Sequence, residues 1–145
     1  MEIKRDLYLN EMIIRLHNGM IKVITGIRRC GKSYLMNILF YRYLLESVTD
    51  EPHIVRFAFD SAEDLEKIGE DPIALVREKR KVSPEKFMDY IRNHIPDEGT
   101  VFLLLDEIQE LDCFEAVLNG YLRNPRLEIY VTGSNSRFLS TDILA

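Results

Sequence analysis

One string constrains this chain more than any other: Gly26-Ile27-Arg28-Arg29-Cys30-Gly31-Lys32-Ser33 fits G-x-x-x-x-G-K-[ST]. Glycines in such a loop let successive backbone N–H groups turn inward around an anion, and a helix that begins there adds partial positive charge. At ordinary residue frequencies a chance match in a chain of this length is on the order of one in two hundred. The string has physical meaning only between a strand and a helix. Met20-Ile21-Lys22-Val23-Ile24-Thr25 is short, mostly β-branched or apolar, and bounded by Gly19 and Gly26, which reads as a strand. From Ser33 onward, Leu35, Met36, Leu39, Phe40, Tyr43 and Leu44 lay an apolar stripe along a helix expected to reach Ser47.

The rest of the chain repeats this alternation. Leu9, Met12, Ile13 and Leu16 recur at helical spacing before Asn18-Gly19 ends the helix. His53 to Phe59 reads as a second strand ending at Asp60. Ser61 with Asp64 resembles a capping box, and Asp71-Pro72 and Ser83-Pro84 each offer an N-cap followed by proline in the first turn, so three helices are expected before Pro96. Thr100 to Leu105 is an unbroken apolar run that suits a central strand covered on both faces, and it ends in Asp106-Glu107. Asp112 and Glu115 form a second capping-box pattern, for a helix with the stripe Phe114, Val117, Leu118, Tyr121 and Leu122. Leu127 to Thr132 is a fourth strand. Strands separated by helices imply a parallel sheet with helices on both faces and a ligand site at the carboxyl ends of the strands.

The residues at those ends have assignable chemistry. Gly26, Arg28, Arg29, Cys30, Gly31, Lys32, Ser33 and Tyr34 form the expected nucleotide-binding set, with Lys32 reaching the β and γ phosphates and the Ser33 hydroxyl serving as a ligand to Mg²⁺. Within it, Arg28 and Arg29 occupy variable positions where solvated side chains are the alternative to phosphate contact. Cys30 is a spacer whose thiol pKa a helix N-terminus would lower. Asp106 closes an apolar strand, as a carboxylate holding Mg²⁺ through its water shell would; Asp also starts turns, and only the string upstream decides between the two. Glu107 is placed to accept a proton from an attacking water, the alternative being an exposed charge at a strand end. In Thr132-Gly133-Ser134-Asn135-Ser136, one small polar side chain either contacts the γ-phosphate or its water, or the segment is a turn with Ser136 as a helix cap, and both can hold.

Composition removes several classes of function. At 145 residues, 46% hydrophobic and 30% charged, the sequence is that of one globular domain. No apolar run approaches the roughly 18 residues a bilayer requires, and the first residues lack a secretory signal, which leads to the expectation of a cytoplasmic protein with no membrane partner. Cys30 and Cys113, like His17, His53 and His94, are scattered without zinc-site spacing. A net charge of −5 does not support general attraction to nucleic acid, and the basic run Arg77 to Lys81 reads as a solvated helix end.

Taken together, Val23 to Ser33, Leu105-Asp106-Glu107-Ile108-Gln109 and Val131 to Ser136 resemble the AAA-type ATPases of bacteria and archaea, most of all a poorly characterised prokaryotic family whose AAA domain precedes a C-terminal domain of uncertain role. The resemblance implies a three-layer αβα P-loop NTPase fold of the additional-strand class, with the fourth strand between the first and third. It makes Gly31, Lys32 and Ser33 the Walker A residues, Asp106 and Glu107 the Walker B pair, and Ser134 or Asn135 the sensor. It also implies that residues 1–145 form one nucleotide-binding domain of a longer chain, stopping before the fifth strand, the helical lid and the arginine finger. Arg123, Arg126 and Arg137 are arginines without a finger context, so a neighbouring subunit or later sequence is expected to supply one.

The expected function is Mg²⁺-dependent ATP binding and hydrolysis, with Lys32, Glu107 and Asn135 in catalysis, coupled to conformational change in a larger protein. Alternatives are an ATP-binding switch with little turnover and a small-molecule kinase. GTP is disfavoured by the lack of an Asn-Lys-x-Asp string.

Overall fold

The computed structural model describes residues 2–24, 34–133 and 142–144. Helix α1 (Glu2–Ile14) leads into strand β1 (Lys22–Ile24). After the segment 25–33, which lies outside the described residues, Leu35–Phe40 winds as a π-helix and continues as α2 (Tyr41–Ser47). The expected single α-helix is thus wider in its first half, with the Tyr41 N–H donating to the Met36 carbonyl. π-Helical turns concentrate at functional sites, and this one adjoins the glycine string.

Next come β2 (Ile54–Ala58), α3 (Ala62–Lys67), α4 (Pro72–Glu78) and α5 (Pro84–His94). The three expected helix starts are present, because Ser61, Asp71 and Ser83 each accept a backbone N–H of the first turn. The Asp64 carboxylate does not close a reciprocal box but accepts the Ala58 N–H at 2.9 Å. That bond caps one end of β2, an edge strand whose open N–H groups would otherwise invite other chains. The basic run at the end of α4 is exposed as expected, with Lys79 left-handed at the C-cap and Arg80 paired to Glu78.

Strand β3 (Val101–Asp106), helix α6 (Phe114–Leu122) and strand β4 (Leu127–Thr132) follow. Asp112 does not cap α6: its N–H donates to the Val82 carbonyl at 2.9 Å, and left-handed Cys113 takes the N-cap position without a side-chain cap. Lateral pairing with the segment before α5 pulls the chain out of capping geometry there. Leu122 is 38% exposed and so departs from the expected buried stripe, which Phe114, Val117 and Leu118 carry.

The sheet is parallel in the order β2-β3-β4-β1-β5, with β4 between β1 and β3 as the resemblance implied. One expectation is corrected. A fifth strand, β5 (Asp142–Leu144), already pairs with the outer edge of β1 in the register Lys22↔Asp142 to Ile24↔Leu144. Three residues give too short a pattern to be read locally; the open edge of β1 completes it.

Two apolar cores lie on the opposite faces of the sheet, and strand alternation assigns residues between them. Val101, Leu103 and Leu105 join Phe57, Phe87, Ile91, Val117 and Val131 on the face covered by α3 to α6. Phe102 and Leu104 join Met12, Ile24, Met36, Phe40, Leu44 and Tyr130 on the face covered by α1, the π-helix and α2.

Candidate functional site

The phase of β3 decides where Asp106 lies. Phe102 and Leu104 face α1 and α2, so the next residue in the period-2 series, Asp106, belongs to the face of the helix that follows Gly26 to Ser33. On β4, Tyr130 faces the same way and Thr132 continues its series. The pairing of β3 with β4 runs to Leu105↔Val131, which sets Asp106 and Thr132 side by side across the β3–β4 boundary. The Thr132 hydroxyl donates to Asp106 Oδ1 and accepts the Glu107 N–H at 3.1 Å. Thr132 is fully buried, Asp106 is 6% exposed and Glu107 is 9% exposed. The alternative reading of Glu107 as a solvent-facing charge is therefore wrong.

Glu107 has φ 56° and ψ 55°, a left-handed conformation that costs a residue bearing a Cβ roughly 1–2 kcal/mol. Strain of this kind persists where surrounding contacts over-determine it, and it clusters at active sites. Here the chain leaves β3 and turns at once into a 3-10 segment, Ile108–Glu110, whose end is held by Leu111 N–H donating to the Ile108 carbonyl at 3.0 Å. Gln109 Nε2 donates to Glu107 Oε1 at 2.6 Å. Val82 clamps the turn from outside, donating its N–H to the Glu110 carbonyl and accepting the Asp112 N–H, both at 2.9 Å. Buried Glu70 anchors the clamp, its two oxygens taking the Ser83 N–H at 2.7 Å and Lys86 Nζ at 3.2 Å.

Asp60, just past β2, is exposed at the same rim. Partial burial first, and then the nearby Asp106 and Glu107 carboxylates, raise its pKa above the ordinary aspartate range. Among the described residues, this rim thus brings together three carboxylates, those of Asp60, Asp106 and Glu107.

Among the expected site residues, the structure places Asp106, Glu107 and Tyr34. The first two come together at the end of β3. Tyr34 is helical, 39% exposed, and begins the helix on the Asp106 face. Gly26, Arg28, Arg29, Cys30, Gly31, Lys32, Ser33, Ser134 and Asn135 lie outside the described residues, as does Arg137. The flanks of the two segments are nonetheless neighbours: Ile24, the last described residue before the glycine string, pairs with Thr132, which with Gly133 precedes Ser134. Arg126 serves elsewhere, its guanidinium donating to the Gly99 and Pro96 carbonyls at the amino end of β3.

Sequence reasoning missed the separate contributions of Thr132 and Gln109. The signal for Thr132 was phase, since it shares the parity of Tyr130 just as Asp106 shares that of Leu104. Gln109 entered only as the last residue of the string that carries the resemblance, with no role of its own. Among the described residues, no helix is long and apolar enough to cross a membrane.

Comparison with known proteins adds what the geometry leaves open. An uncharacterized protein of Haemophilus influenzae (strain ATCC 51907 / DSM 11121 / KW20 / Rd) is 32% identical over 143 residues, covering 97% of this chain and 32% of that protein. The chain thus spans about a third of the length of this relative. Among solved structures, a chain from the structure of Drosophila ORC bound to AT-rich DNA and Cdc6 superposes with a TM-score of 0.53 at 16% identity, over 92% of this chain and 47% of that one. That likeness is one of fold. The family model described as an AAA domain matches residues 18–145. With a parallel sheet in the order 2-3-4-1-5, the acid pair at the end of β3 and this match, the chain belongs to the AAA domain family as an ATPase-type nucleotide-binding domain.

Proposed function

We propose that this domain binds ATP together with Mg²⁺ and hydrolyses it, with Glu107 as the general base. The observation that carries the reading is the buried Asp106-Glu107 pair, held at the carboxyl end of β3 by the Thr132 hydroxyl. Gly26 to Gly31 surround the phosphates through backbone N–H groups, and Lys32 brings a point charge to the β and γ oxygens. Ser33 and Asp106 would hold Mg²⁺ as hard oxygen donors, Asp106 being buried at the carboxyl end of β3 with the Glu107 carboxylate beside it. When bound, the ion offsets charge on the phosphate oxygens as the transition state forms. Glu107 takes the proton from a water whose oxygen attacks the γ-phosphorus while the bond to the β–γ bridging oxygen breaks, releasing ADP and phosphate. Ser134 or Asn135 contacts the γ-phosphate or that water. The nucleotide state then acts on the remainder of a longer protein, and a neighbouring subunit is the expected source of an arginine.

Single-turnover phosphate release by the full-length protein tests this. Glu107→Gln should slow release by about 10²–10⁴-fold with ATP binding retained. Equal rates would remove Glu107 as the base. A second reading, an ATP-dependent switch with little turnover, is favoured by Gln109, whose donation to Glu107 Oε1 engages one of the two carboxylate oxygens and makes the group a weaker base. In that case wild type and Glu107→Gln would bind ATP tightly and both turn over negligibly.

A further inference from the structure

We infer that Thr132 is a positioning residue that sets the two carboxylates of the site as one unit. The inference rests on the assignment of Asp106 to Mg²⁺ and Glu107 to the attacking water. A threonine hydroxyl has one proton to donate and two lone pairs to offer. Here the proton goes to Asp106 Oδ1 and a lone pair receives the Glu107 N–H at 3.1 Å. Thr132 is fully buried in a strand flanked on both sides, opposite Ile24 of β1 and beside Asp106 of β3. Its side chain is fixed by the sheet rather than by a loop, so it transmits the sheet's rigidity to the first turn beyond it.

The two bonds have different consequences. Donation to Asp106 restricts the carboxylate to one orientation, leaving it pre-set for a cation rather than free to sample rotamers. Acceptance from the Glu107 N–H satisfies a buried donor in the left-handed peptide that aims the Glu107 side chain. A residue of the same shape without the hydroxyl breaks both at once. Asp106 then loses the bond that orients it, and the peptide that directs Glu107 loses its tether. Phosphate binding without metal calls on neither carboxylate, so it should be unaffected. A threonine that merely completed a strand would alter stability alone.

The test uses the full-length protein as wild type, Thr132→Val, Thr132→Ser and Glu107→Gln. Three readouts are compared: binding of a fluorescent ATP analogue across a Mg²⁺ titration and in EDTA, single-turnover phosphate release, and thermal unfolding. Thr132→Val should raise the Mg²⁺ concentration at half-saturation by about 10–100-fold and slow release by a similar factor, with binding in EDTA unchanged. Thr132→Ser, which restores the hydroxyl, should return both toward wild type. If Thr132→Val does not fold, Thr132→Ala removes the same hydroxyl and gives the same comparison. An unchanged Mg²⁺ midpoint in the variant lacking the hydroxyl overturns the inference. Wild-type turnover by Glu107→Gln overturns the base assignment instead, and the Mg²⁺ midpoint still decides the role of Thr132.

Discussion

Glu128 and Lys22 form an ion pair within the sheet at the end opposite the candidate site, and replacing Glu128 with leucine should be among the most damaging single changes to stability. Lys22 is fully buried and Glu128 is 5% exposed. Glu128 Oε1 accepts Lys22 Nζ at 2.9 Å and the His17 N–H at 2.8 Å, and Oε2 lies 3.4 Å from His17 Nδ1. Without the carboxylate, the Lys22 ammonium stays in the core with the Tyr130 ring, 5.0 Å away, as its remaining favourable neighbour on that strand. Stranding a buried charge in this way costs about 3–5 kcal/mol. For a chain of this size each kcal/mol moves the melting midpoint by roughly 2–4 °C, so the expected fall is on the order of 6–20 °C. His17 is exposed, and water can replace the carboxylate at its N–H, so that bond adds little. Lys22→Met in the Glu128→Leu background removes the stranded charge and should recover most of the loss. A double-mutant cycle by urea unfolding measures the coupling. A cost below about 1 kcal/mol for Glu128→Leu, or a further loss of stability on adding Lys22→Met, would mean that Lys22 does not depend on Glu128.

Two further outcomes are expected. Because the fold raises the Asp60 pKa, the folded state binds more protons than the unfolded state between the ordinary aspartate value of about 3.9 and the raised one, so ionisation of Asp60 lowers stability as pH rises through that window. Asp60→Asn should therefore be more stable than wild type at pH 7 and lose that advantage below about pH 4 in pH-dependent melts. Glu107→Gly and Glu107→Ala both remove the carboxylate and its bond to Gln109, yet only glycine relieves the positive φ, so urea unfolding should find glycine more stable by about 1 kcal/mol, and equal stabilities would refute the strain.

Much of the fold was written in local patterns. Ser61, Asp71 and Ser83 announce helices that start where they should, and the run Val101 to Leu105, lacking alternation, is buried on both faces as such a run must be. What local patterns could not carry is pairing between distant segments. Asp112 looked like a cap until Val82 engaged its N–H, and Asp142 to Leu144 became a strand only because β1 had an edge to offer. Nothing local to Lys22 or Glu128, charged residues inside strands, points to the other; their pairing follows from β1 and β4 lying next to each other. The site divides in the same way. Asp106 and Glu107 were legible because they close an apolar strand, whereas the hydroxyl that orients them sits 26 positions from Asp106 and reaches it only through the order 2-3-4-1-5.

That order makes β4 more than a spacer. Its outer series, Glu128, Tyr130 and Thr132, lies on the face toward α1 and α2, where a central strand would ordinarily present apolar groups. Each of the three is satisfied by a different element. Glu128 takes Lys22 of β1, the Tyr130 hydroxyl donates to the Met12 carbonyl of α1 at 2.7 Å, and Thr132 holds Asp106 of β3. Buried polar groups are favourable only when fully partnered, so a shift of β4 by one residue would orphan all of them together and also reverse both apolar faces. The register that the ion pair enforces at the amino end is thus the register that brings Thr132 opposite Asp106 at the carboxyl end. Strain is tolerated at Glu107 because the strand beside it is fixed at three points along its length.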